Sequence, residues 1–179
     1  MSLVYTKDAK HLKGYKIGKH TYGIPTVLAS RGMPQYIEIG SFCSIAAGVV
    51  FLLSVDHRPD WFTTYPFNVL WGYNKQGHPH SKGNIIVGND VWIGQNVTVL
   101  SGVRIADGAC IGAGSVITKD VPPYTVMAGN PAKIVKTRFP KDVVSILLKL
   151  QWWNRPDDEI QSMLPVLLSG DVEALRRLL

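Results

Sequence analysis

Only two cysteines, Cys43 and Cys110, occur in 179 residues. That excludes a disulfide-built scaffold and a cysteine zinc cluster, and it points to the cytoplasm. No apolar run approaches the roughly 20 residues that a bilayer crossing needs, so no membrane span is expected. The opening stretch, Met1-Ser2-Leu3-Val4-Tyr5-Thr6-Lys7-Asp8, has no apolar segment behind a basic start, so no secretory signal is read there. Acidic residues are few: 13 Asp+Glu against 19 Lys+Arg leave a formal net charge of +6. A phosphate-bearing partner suits that balance. Nucleic acid is not the expected one, because the basic residues come in ones and twos and no motif sets a helix or an aromatic sheet on bases. With 18% charged and 46% hydrophobic residues, the chain is too apolar for disorder and long enough for one buried core.

What the sequence does have is a repeat. Val87, Ile93, Val99, Ile105, Ile111 and Ile117 recur every six residues, and Val91, Val97, Val103, Ala109, Ser115 and Val121 follow each by four. The same phase runs through Ile39, Ile45 and Phe51, with Cys43 and Val49 between them. A period of six fits neither a helix nor an ordinary two-faced strand. It fits a coil of three short flat faces, each one hexapeptide long. Successive coils then stack like strands of a sheet, about 4.8 Å apart. Gly88, Gly94 and Gly112, with Asn89, Asp90, Asn96 and Asp107, read as corner residues that tolerate positive φ.

The stretches Val87-Gly88-Asn89-Asp90-Val91-Trp92-Ile93-Gly94, Ile111-Gly112-Ala113-Gly114-Ser115-Val116-Ile117-Thr118-Lys119-Asp120 and Ala128-Gly129-Asn130-Pro131-Ala132-Lys133 resemble the hexapeptide-repeat acyltransferases. The resemblance implies an all-β core wound as a left-handed parallel β-helix, usually a homotrimer, with acetyl-CoA as co-substrate. On this reading residues 1–36 form an irregular first coil, 37–139 the β-helix and 140–179 a helical cap. Ile17 is out of phase with Ile39.

The repeat breaks over residues 52–86. This long loop holds His57, His78 and His80, together with Trp61, Phe62, Tyr65, Phe67, Trp71 and Tyr73. A long insertion in a compact domain is often functional. Phe51-Leu52-Leu53-Ser54-Val55-Asp56-His57-Arg58-Pro59-Asp60-Trp61, followed by Thr63-Thr64-Tyr65-Pro66-Phe67, is similar to the xenobiotic acetyltransferase subgroup, which includes chloramphenicol and streptogramin acetyltransferases of hexapeptide type. Many polysaccharide-locus acetyltransferases are similar there too. By position His57 matches the subgroup's catalytic histidine. An imidazole titrating near neutrality suits removal of a hydroxyl proton during attack on a thioester. Asp56 and Asp60 are candidates to orient that base. His78 and His80 carry no such match and are expected to be solvated loop residues. Cys43 and Cys110 are expected to be inert.

Carried over residue by residue, the resemblance puts Trp92 beside the thiol end of acetyl-CoA and Gly112 and Ala113 along its arm. Thr118 and Lys119 fall toward its pantothenate portion, Lys133 and Lys136 near its phosphates, and Asn130 in the adjoining loop. The drug-modifying members carry a longer acceptor-binding start than residues 1–36, which speaks against a chloramphenicol or streptogramin acceptor. The expected function is therefore O-acetylation of a sugar, a polysaccharide precursor or an antibiotic-like molecule, by direct attack in a ternary complex with His57 as general base. Alternatives are N-acetylation of an amino sugar, a non-enzymatic hexapeptide scaffold, and a γ-type carbonic anhydrase. The last lacks coil histidines, since none lies between residues 87 and 128.

After Pro140 the period turns helical. Val143, Ile146, Leu147 and Leu150 make one apolar stripe, and Ile160, Met163, Leu164 and Leu167 another behind an acidic first turn. A short third helix is expected after Gly170, the three closing one end of the stack.

Overall fold

The structure, a computed structural model, describes residues 4–179; Met1, Ser2 and Leu3 of the stretch read for a targeting signal lie outside the described residues. Among the described residues thirteen strands follow in chain order. They are β1 (Lys16–Ile17), β2 (Thr26–Ala29), β3 (Ile37–Ile39), β4 (Ser44–Ile45), β5 (Val50–Ser54), β6 (Ile85–Val87) and β7 (Trp92–Ile93). Then come β8 (Thr98–Leu100), β9 (Arg104–Ile105), β10 (Cys110–Ile111), β11 (Val116–Ile117), β12 (Thr125–Gly129) and β13 (Ala132–Thr137). They form three sheets, ordered β1-β3-β6-β9, β4-β7-β10-β12-β13 and β2-β5-β8-β11. We call these faces A, B and C. The chain visits A, then B, then C, and begins the next coil, so every pairing is parallel except the closing hairpin β12–β13.

The register shows why a six-residue period gives this shape. Val87 stands on Ile105, Ile93 on Ile111 and Val99 on Ile117, each pair 18 residues apart, which is three hexapeptides. All six side chains are buried, as are the corner residues Val91, Val97, Val103, Ala109 and Ser115. Each such aliphatic side chain stabilises the fold by roughly 1.5–3 kcal/mol relative to exposure. Two phases differ from the sequence reading. Val121 occupies the face position stacked on Ile105, not the corner position four after Ile117, because the last turn is two residues short; Met127 then sits over Ile111. Ile17 pairs directly with Ile39 despite its sequence offset, because the irregular stretch 30–36 absorbs the difference.

The corners also work differently. Asp90 and Asn96 take positive φ as expected, but Asn89 and Asp107 act through their side chains. Asn89 Oδ1 accepts the Ser41 N–H at 2.8 Å, and Asp107 Oδ1 accepts the Asn89 N–H at 2.7 Å, so one corner is laced from coil to coil. Gly94 is required by close approach rather than by φ: a Cβ there would lie 2.7 Å from the Ala113 nitrogen.

The C-terminal helices are α2 (Lys141–Leu150), α3 (Asp157–Leu167) and α4 (Val172–Arg176), following a single turn α1 (Phe67–Leu70) in the loop. Val143, Ile146, Leu147 and Leu150 of α2 are all buried, in a cluster with Tyr124, Trp153 and Leu175. Of the α3 stripe, Ile160 is buried whereas Leu164 is exposed. Asp157, Asp158 and Glu159 fill the first turn of α3, where the helix dipole favours negative charge. Asp157 also binds Lys19 Nζ at 2.7 Å and His20 Nε2 at 2.8 Å, which ties α3 to the first coil. No helix is long and apolar enough to cross a membrane among the described residues.

Candidate active site

Between β5 and β6 the chain leaves the stack at the edge joining faces C and A, and returns one coil higher. Its two ends are stitched together. The Asp56 N–H donates to the His80 carbonyl at 3.1 Å and the His80 N–H to the Asp56 carbonyl at 2.7 Å. Ser101, on the β8–β9 corner one coil further on, donates through Oγ to Asp56 Oδ2 at 2.7 Å and accepts the Lys82 N–H at 3.0 Å. Ser81 Oγ donates to the Leu53 carbonyl at 2.6 Å. His57 is therefore the first residue beyond a clamped base.

His57 is exposed, and its Nδ1 lies 2.7 Å from the Thr64 carbonyl oxygen. A carbonyl only accepts, so Nδ1 carries the proton and the neutral ring keeps its lone pair on Nε2. Neither candidate carboxylate orients this ring. Asp56 is engaged by Ser101, and Asp60 pairs with the Arg58 guanidinium, which lowers its carboxyl to about 2. A cleft of about 510 Å³ opens here, lined by His57, Arg58, Thr64, His80, Lys82 and Leu100 among others. Beside it a second cavity of about 380 Å³ is walled by Trp61, Phe62, Tyr65, Phe67 and Tyr73, with Lys75 at its rim. Phe62, Tyr65, Trp71 and Tyr73 remain substantially exposed.

His78 departs from expectation. It is buried, its ring centroid 5.2 Å from that of His57 and 4.9 Å from that of Trp61. Its flanks, Gly77 and Pro79, give no such signal; the antiparallel bridge between Asp56 and His80 brings it in. His80 is half-buried at the clamp.

The other sequence-chosen residues lie elsewhere on the prism. Trp92 projects outward from face B, 57% exposed, in one row with Ser44, Cys110 and Val126. Gly112 and Ala113 form the corner between faces B and C. Gly112 packs on Ala128, and Ser115 Oγ accepts the Gly129 N–H at 3.0 Å while donating to the Gly112 carbonyl at 2.6 Å. The Asn130 turn adjoins that corner. Thr118 and Lys119 lie on the C–A edge, as His57 does, but after β11. Lys133 and Lys136 lie on β13. Lys119, Lys133 and Lys136 are exposed and form no ion pair among the described residues. The Cys43 thiol is pushed up to about 12 by burial, and Cys110 is raised by the same cause. Among the described residues no group of three or more His, Cys, Asp or Glu side chains could hold a metal ion.

This architecture matches known proteins. Residues 84–119 fit the family described as bacterial transferase hexapeptide (six repeats). A probable macrolide acetyltransferase of Lysinibacillus sphaericus is 49% identical over 138 residues, covering 73% of this chain and 76% of that protein. A chloramphenicol acetyltransferase of Agrobacterium fabrum is 39% identical over 147 residues, covering 79% and 70%. Among solved structures, a hexapeptide-repeat acetyltransferase of Vibrio cholerae complexed with acetyl coenzyme A is 30% identical with a TM-score of 0.54; the match covers 72% of this chain and 62%, under two thirds, of that one. The chain belongs to the hexapeptide-repeat acetyltransferases, in the xenobiotic acetyltransferase group.

Proposed function

We propose that the protein transfers acetyl from acetyl-CoA to a hydroxyl of a small or glycan acceptor, with His57 as general base. The observation that carries this reading is the His57–Thr64 hydrogen bond, which leaves the Nε2 lone pair free beside a solvent-open cleft. When bound, acetyl-CoA supplies an already activated thioester carbonyl, so the protein need not provide a nucleophile of its own. His57 Nε2 takes the hydroxyl proton as the acceptor oxygen bonds to the carbonyl carbon. It returns that proton to the sulfur as the carbon–sulfur bond breaks, so the enzyme ends unchanged. A positioned base of this kind contributes about 10²–10⁴-fold.

The chain's residues fit a phosphorylated co-substrate. Three exposed lysines, Lys119, Lys133 and Lys136, with no ion pair among the described residues, are available to phosphate oxygens. Trp92, Gly112, Ala113, Thr118 and Asn130 are assigned to the same co-substrate. They lie on another edge of the prism or in another coil from His57, a separation that favours a site completed by a second subunit of a homotrimer. Left-handed winding accompanies this reading. Two free cysteines agree with a cytoplasmic setting. The aromatic walls of the 380 Å³ cavity favour an acceptor with an apolar surface, as an antibiotic-like molecule has, over a simple sugar.

The test is release of free CoA thiol with acetyl-CoA across a panel of macrolides, chloramphenicol, streptogramin A and simple and nucleotide-linked sugars, with His57→Ala as control. His57-dependent turnover with one acceptor class is the expected result. Turnover that survives in His57→Ala removes the base assignment, and failure to bind CoA removes the enzyme reading.

A further inference from the structure

His78 packs its ring against that of the base across the neck of the loop, and its contacts are more specific than packing requires. Its Nε2 lies 2.9 Å from the Arg58 backbone nitrogen. A backbone N–H only donates, so Nε2 holds the lone pair and the ring proton is on Nδ1. Arg58 is the residue immediately after His57. The His78 carbonyl is held in turn by Asn68 Nδ2 at 2.8 Å, and the ring stands edge-on between His57 (61° interplanar) and Trp61 (83°). Thr64 grips His57 through its ring; His78 grips the peptide that carries it.

We propose that His78 is a positioning residue for the acetyl transfer: as a neutral imidazole it fixes the Arg58 peptide and braces the His57 ring so that Nε2 of His57 stays aimed into its cleft. This rests on the reading of His57 as the base. The proton count makes the role conditional on charge. Nδ1 already carries a hydrogen and is buried without a hydrogen-bond partner among the described residues. A second proton must enter at Nε2, where the Arg58 N–H points, so protonation ends that bond. It also sets a second positive charge 5.2 Å, centroid to centroid, from His57. The surroundings oppose that charge. Burial is the largest cause, and His57, Arg58 and His80 add to it; only Asp60 acts the other way, while Trp61 and Asn68 are neutral. His78 thus stays neutral to lower pH than an ordinary histidine, and below that point the Arg58 peptide loses its brace.

The experiment compares His78→Phe, which keeps a ring but no acceptor, with His78→Gln, whose amide oxygen reaches the position of Nε2. His78→Phe is expected to lower kcat roughly 10–100-fold through misplacement of the base, with the acetyl-CoA KM unchanged, and His78→Gln to recover most of that loss. The acid limb of the kcat/KM profile in the unaltered protein should steepen from one proton to two as pH falls, while His78→Gln stays at one. Ring ¹⁵N shifts of labelled protein, which need no acceptor, should report a single His57 tautomer in the unaltered protein and His78→Gln, and a tautomer mixture in His78→Phe. A His78→Phe protein with full kcat and one His57 tautomer overturns the proposal, as does a mixture in His78→Gln matching that in Phe. Turnover that persists in His57→Ala overturns the underlying base assignment instead, so the two failures are distinguishable.

Discussion

The Nδ1–H of His57 donates to the main-chain carbonyl of Thr64 at 2.7 Å, and among the described residues no carboxylate pairs with the ring. A peptide carbonyl fixes the tautomer and direction of the ring without bringing a negative charge to it. His57→Ala should therefore keep the fold and CoA binding while losing at least about 10² in kcat. Thiol-release kinetics set beside thermal unfolding would check both halves.

The loop base should matter to catalysis more than to stability. Ser101 joins Asp56 and Lys82, which flank the clamp. Ser101→Ala should lower unfolding free energy by about 1 kcal/mol. The same change should reduce kcat by roughly tenfold or more, because His57 hangs from that clamp. Equal kcat in the variant, with Asp56 and His80 still exchanging slowly with deuterium, would count against the clamp's role.

Lys119, Lys133 and Lys136 should act on binding alone. Each changed to Ala should raise the acetyl-CoA KM about five- to twentyfold and leave kcat unaltered. The effect should shrink as salt rises toward 0.5 M, since exposed charges are screened beyond roughly 10 Å at 0.1 M. Initial-rate series at two ionic strengths would separate phosphate contacts from ordinary surface lysines.

The end of the coil stack beneath the cap carries a pH signature. Arg138 Nη1 donates to the Gly108 carbonyl at 2.8 Å and to Asp90 Oδ2 at 3.4 Å, and its guanidinium lies 5.4 Å from the Tyr124 ring centroid. Burial raises the Asp90 carboxyl above its ordinary 3.8, and Arg138 pulls it back. A raised folded value means the native state holds this proton more tightly than the unfolded chain, so the Asp90 contribution falls as pH climbs between the two values. Without Arg138 the gap widens. Arg138→Ala should cost about 2 kcal/mol at pH 7 and distinctly less at pH 4, with Asp90→Asn flattening the difference. Urea unfolding at both pH values would measure this.

The coil stack was legible in the sequence because each aliphatic residue at a sixfold step meets its own kind one coil away, as Ile93 meets Ile111. So was the stripe of α2, where a 3.6-residue period marks the same faces that become buried. The phase is lost where the length of a turn changes: Val121 takes a face position because one turn is two residues short. The corner ladder through Asn89 and Asp107 is not legible in the sequence, because a side chain that accepts from the next coil and a residue with positive φ call for the same amino acids. His57 stands out as a candidate base through the resemblance of its neighbourhood, not through periodicity. His78 was invisible because its burial depends on two strangers in sequence, Asp56 and His80, forming a bridge.

That bridge has an evolutionary reading. Stacked partners across the loop, such as Ile45 and Ile93, are 48 residues apart, against 18 for Ile93 and Ile111. Thirty extra residues are thus spliced into one edge of the prism without moving the stacking by a single position. Closing a longer or shorter excursion costs little, because loop entropy grows only logarithmically with length. The segment from 57 to 79 is therefore an exchangeable cassette. On the function proposed above, a change in its aromatic content would change the acceptor and leave the stacked coils as they are.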